Sequence, residues 1–216
     1  AETRRATLQG ATALPLGSAT NLLVHDVMMT PTDLGIDVQS SWSGRIANNT
    51  INGGNTGINI DAAFTGTVEH NEIENATVGV AYNASATLSN NSIHSNTTGV
   101  TVSVFDESAA FGFVGESAPN TIANNQVGVA LSNGRVIGQI ITQNAVGIAG
   151  TGIAGHINIE NANVIDGNVV GVDMNGIVQR NRFVENITGV LATDELQIVQ
   201  NIFANHASVA INVQQV

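Results

Sequence analysis

The densest chemistry in the chain is the run EHNEIEN, where Glu69, His70, Glu72 and Glu74 crowd together and His94 follows one repeat later. A carboxylate within reach of an imidazole can pass a proton, hold a metal or grip a sugar. The same residues can equally form a solvated, charge-balanced outer face. A second group lies in VFDESAAFGFVGESAP, which sets Phe105, Phe111 and Phe113 beside Asp106, Glu107 and Glu116. Exposed aromatics would stack on sugars or dock a partner; folded back, they would cover the side of the molecule. In QRNR, Arg180 and Arg182 flank Asn181, a pair able to grip an acidic sugar or to bond with Glu185 or Glu160. Asp37, Asn59 and Asp61 offer oxygen ligands of the kind calcium takes. Calcium there is the one cofactor weighed; otherwise none is expected.

Composition narrows the choice. The 216 residues carry a formal net charge of −11, and all six basic residues are Arg. So acidic a surface disfavours nucleic acid and anionic membranes as partners. There is no Cys, which excludes thiol catalysis and disulfides. No apolar run is long enough to span a bilayer. The opening AETRRATLQG does not read as a signal peptide. A Lys-free, acidic chain suits an extracellular or cell-surface setting.

The elements that must position these residues come from a repeat. Taking Gly57 of TGI as anchor, counterparts stand at Gly35, Gly79, Gly99, Gly128, Gly147, Gly171, Gly189 and Val209, spaced by 18 to 29 residues. Six positions before each anchor lies an apolar residue, from Met29 and Ile51 to Phe183 and Phe203. One position after lies Ile, Val or Ala. Eight before stands an amide: Asn49, Asn71, Asn91, Asn120, Gln139, Asn163, Asn181 and Asn201, with Val27 in the first copy. Three before, Asn96, Asn125, Asn144, Asn168 and Asn186 make a second, partial row.

Three short strands per copy cannot bury their own apolar faces, but stacked copies can. About nine coils spaced by about 4.8 Å predict a rod with Ile/Val ladders inside and Asn ladders at the turns. Asn is expected to turn the chain inward and Gly to supply positive φ at a corner. Gly, Asn and β-branched residues are poor helix formers. Residues 1–23 fit the repeat poorly and read as a partial coil or cap. Residues 24–216 read as one domain, with a loop at 103–119 projecting from the longest copy. Glu74 and His94 share a slot on adjacent coils and should be neighbours. Six N-x-S/T sequons occur, but Asn96 and Asn186 belong to the inward row.

The phrase N-x-I-x-x-N-x-x-G-I/V resembles the repeat of right-handed parallel β-helix proteins, namely the pectate-lyase-like superfold and the NosD-like carbohydrate-binding and sugar-hydrolase group. The resemblance covers about residues 24–213 and implies an all-β solenoid. Its activities include polysaccharide lyases, hydrolases, epimerases, tailspikes and adhesins, so fold alone selects none. The calcium-binding Asp cluster of pectate lyases, a D-D pair and a D-P-H phrase are all missing from the sequence. The expected function is an extracellular, non-catalytic module, such as an adhesin, stalk or surface-protein segment, with a polysaccharide or surface glycan as candidate ligand. Two alternatives stand beside it: a polysaccharide-processing enzyme, and an element that self-associates end to end through its terminal coils or joins neighbouring domains.

Overall fold

The computed structural model describes residues 6–16, 22–104, 110–111, 118–156, 158–192 and 195–214. For 6–16, 22 and 159 the backbone alone is described. The chain winds as an all-β parallel solenoid of about eight turns. Nine anchors enclose eight intervals, which reconciles the nine copies of the repeat with that number. A single 3₁₀ turn, Ile159–Asn161, interrupts the strands among the described residues.

Each coil has three faces. In one coil they are Thr50–Asn52, Thr56–Ile60 and Thr67–Glu69. All pairing is parallel and joins equivalent slots: Ile51 to Ile73, Ile73 to Ile93, Ile93 to Ile122. Strand Ala6–Leu16 pairs with Val27–Val38 and opens the stack. In three coils, starting with that of Val127, the second and third faces run on without a break, as Val127–Val136, Val146–Ala154 and Val170–Gln179. There the expectation of three separate strands fails. Gly150, Gly152 and Gly176 carry the chain through those bends at φ between 105° and 152°, which L side chains rarely adopt.

The core is aliphatic ladders. Ile51, Ile73, Ile93, Ile122, Ile141 and Ile165 on the first face are fully buried, as are Ile58, Val80, Val100, Val129, Ile148, Val172 and Val190 on the second. Repetition of one side chain at one slot lets each coil pack the next with the same rotamer and no void.

The buried amides obey one rule. Asn71 Oδ1 accepts from both the backbone N–H and the Nδ2 of Asn49, while Asn71 Nδ2 donates back to the Ile46 carbonyl and on to Asn91 Oδ1. That satisfies the whole side chain and an otherwise orphaned backbone donor. The pattern continues through Asn120, Gln139, Asn163 and Asn181 to Asn201. The second ladder begins where Ala76 N–H meets Asn96 Oδ1, and passes through Asn125, Asn144 and Asn168 to Asn186.

Two roles assigned from sequence need correcting. The ladder asparagines do not make the turn: the left-handed residue stands one position earlier, at Asn48, His70 and Asn90 on one corner and Ser95, Asn124 and Gln143 on the other. The anchor glycines do not have positive φ either. A Cβ on Gly57 would stand 2.6 Å from the Gly79 carbonyl oxygen and 2.5 Å from Ile73 Cγ2, so close approach of coils selects Gly. The last copy is also shifted: Val190 pairs with Ile211, so Ala210, not Val209, lies under Gly189. His206 then occupies the amide slot and meets the Asn186 carbonyl through Nδ1 at 3.2 Å.

Candidate functional site

Glu74 and His94 are register partners on adjacent first-face strands, as their shared slot requires. His94 lies between two carboxylates, with Nε2 at 3.5 Å from Glu72 Oε1 and Nδ1 at 3.9 Å from Glu74 Oε2. Asn52 Nδ2 donates to Glu74 Oε1 at 2.7 Å, and Asn75 Nδ2 donates to Asn52 Oδ1. Around the corner Arg45 Nε donates to Glu69 Oε1 at 2.6 Å, with the ring of His70 at 3.9 Å from the other oxygen. His70 is itself a left-handed corner residue, held outward. Arg45 was not singled out in the sequence; its place in the slot that pairs with Thr67, two residues before Glu69, is the signal that would have found it.

The His94 patch borders a groove. His94 Nδ1 lies 3.2 Å from Ser95 Oγ, and Ser95 is the first residue of a shallow depression of about 520 Å³. Three successive corners line it: Ser95 and Thr97, then Asn124 and Gln126, then Gln143 and Ala145. The backbone N–H groups of Thr97, Gln126 and Ala145 are spent on the preceding coil. Among the described residues, the Thr97 hydroxyl and the amides of Asn124, Gln126 and Gln143 have no side-chain hydrogen bond. Nearby corner amides differ, for Asn55 donates to Asp33 and Asn75 to Asn52.

A family model described as "Right handed beta helix region" matches residues 10–135. The chain belongs to the right-handed β-helix family. No curated protein and no solved structure matches it.

Within this β-helix the remaining candidates are dispersed. Asp37 pairs in register with Asn59 on the outer slot, where neighbours cover it to 2% exposure. Asn59 Nδ2 donates to both Asp37 Oδ1 and Asp61 Oδ2 at 2.8 Å, while Gln39 and Asn83 donate to the other two oxygens. All four carboxylate oxygens thus meet amide N–H groups, and Asn59 turns its nitrogen to both acids. Among the described residues no group of three or more His, Asp or Glu is placed to hold a metal ion.

Arg180 is a left-handed corner residue and Arg182 lies exposed on the first face. Among the described residues neither forms an ion pair with Glu185 or Glu160. Phe111 corrects the expectation of an exposed aromatic. It is fully buried, bridges to Val136 and stands edge-on to Tyr82 with centroids 5.3 Å apart. It fills the third-face rung of the longest coil. Phe105, Phe113 and most of the loop expected at 103–119 lie outside the described residues. Burial raises the Tyr82 hydroxyl above its ordinary pKa, opposed by its hydrogen bond to Ala86. That hydroxyl also reaches the Ala110 carbonyl at 3.3 Å, tying the long coil to the core.

Proposed function

We propose that this β-helix is a non-catalytic extracellular module, a segment of an adhesin, stalk or other surface protein, that binds glycan. The observation that carries this reading is the groove of Ser95 to Ala145, whose amides and hydroxyl are uncommitted where neighbouring corner amides are bonded. Its volume falls within the range of about 300–1,000 Å³ typical of ligand sites. Amides and hydroxyls recognise sugar hydroxyls and catalyse nothing by themselves. A glycan array probed with the purified chain, run beside a turnover screen on neutral and uronate polysaccharides, tests the reading. Retention without turnover is expected. An empty array would end it.

One contact favours a second reading, a polysaccharide-processing enzyme. His94 touches Ser95 at the head of the groove and carries Glu72 and Glu74 with it. Turnover that disappears in Glu72→Gln and Glu74→Gln would put this reading in first place. End-to-end self-association has its own support in the coil of residues 196–213. Ile211 and Val213 are 39% and 78% exposed there, whereas Val172, Val190 and Met174 in the equivalent slots of interior coils are closed. A single species in sedimentation at every concentration would exclude it.

A further inference from the structure

Resting on the glycan-binding reading, we infer that the groove of Ser95 to Ala145 takes a neutral polysaccharide lying along the rod axis, and rejects uronate chains. Three observations converge. First, the lining contains no charged side chain: Ser95, Thr97, Asn124, Gln126 and Gln143 offer hydroxyl and amide groups only. Each can both donate and accept, which matches a sugar hydroxyl and gives a carboxylate no cation. Second, the chain around the groove is acidic, with a net charge of −11. Glu72 and Glu74 stand beside its first corner through His94. A polyanion would therefore be repelled on approach and would meet no Arg on arrival.

Third, the geometry is axial. Ser95, Asn124 and Gln143 share one left-handed corner slot, with φ of 58°, 55° and 56°. They therefore project their side chains in parallel at the coil spacing of about 4.8 Å, a length comparable to one sugar ring in an extended chain. A ligand along the axis meets one such group per ring. Beyond Ala145 the slot of Gln143 continues as Gly167 and Glu185, while the slot of Thr97 and Gln126 becomes apolar, with Val169 52% and Ile187 47% exposed in successive coils. These would underlie the carbon face of the next rings, as apolar surface does in sugar sites. A ligand lying across the axis would instead leave the groove after one coil and reach the polar first face.

Calorimetric titration of the intact chain tests this, with cellohexaose, xylohexaose and mannohexaose as neutral probes and hexagalacturonate as the charged one. At least one neutral probe should bind, hexagalacturonate should not, and Thr97→Ala with Gln126→Ala should weaken neutral binding about tenfold without moving the melting temperature. These positions are exposed, so the variants should fold. Ile187→Asp should weaken long probes more than trisaccharides. Neutral binding untouched by the groove variants overturns the inference. Hexagalacturonate binding that is lost in the same groove variants overturns it while leaving a glycan-binding module standing. No binding of any probe, together with an empty glycan array, removes both.

Discussion

Asn144 Nδ2 donates to Asn168 Oδ1 at 3.0 Å, across one coil and twenty-four residues of chain. The same side chain donates to the carbonyls of Ile122 and Thr142, and its Oδ1 accepts from Asn125. Asn144→Ala would take from the buried Asn125 backbone N–H its acceptor and from the Ile122 carbonyl a donor. The expected loss is about 3 kcal/mol, read by urea denaturation. Asn144→Asp should be worse, because a carboxylate oxygen would face Asn168 Oδ1 in place of a donor.

The anchor glycines predict a contrast between two kinds of glycine. A Cβ on Gly99 would stand 2.6 Å from the Gly128 carbonyl oxygen and 2.7 Å from Ile122 Cγ2. Gly99→Ala should therefore destabilise by about 2–3 kcal/mol through overpacking. Gly167 sits at φ +62° with its nearest neighbour 3.8 Å away. Gly167→Ala has space and meets only the left-handed penalty of about 1–2 kcal/mol. Equal losses in thermal melts would contradict this assignment.

Phe111→Ala should behave as a core deletion. A loss of about 3–5 kcal/mol is expected, with glycan affinity unchanged at temperatures where the variant is folded. A selective loss of affinity at full stability would return Phe111 to the surface role its sequence suggests.

Tyr82 predicts an alkaline limit. Its hydroxyl has a raised pKa in the fold, so the folded state keeps a proton that the unfolded state releases above about pH 10. The contribution is fully present below that pH and is lost as pH rises through the folded value. Melting curves of the wild type should fall more steeply above pH 10 than those of Tyr82→Phe. Parallel curves would argue against it.

Much of the fold was legible because inward slots repeat. Asn71 and Ile73 recur in type and spacing from coil to coil, and a ladder needs only that. The last copy misled because one extra residue between His206 and Val209 shifts its second strand after both Asn201 and Phe203 have matched. Gly57 was placed correctly and explained wrongly: sequence shows that Gly is required but not whether φ or contact requires it. Phe111 misled because an insertion looks like a loop even when one of its residues completes a rung. The Glu74–His94 pair was visible as a shared slot. The groove was not, since Asn124, Gln126 and Gln143 differ in type from coil to coil and only the corner they share unites them.

The ladders also give the molecule a direction. From Asn49 to Asn201 each side-chain oxygen of the row accepts from the preceding coil, and each link donates toward the following one, Gln139 through its backbone N–H alone. One side of such a row offers acceptors and the other offers donors, so two equal sides never match. Any neighbour that extends the row must meet it head to tail. A fibre grown that way would be polar, as a row of arrows is, with two chemically different tips.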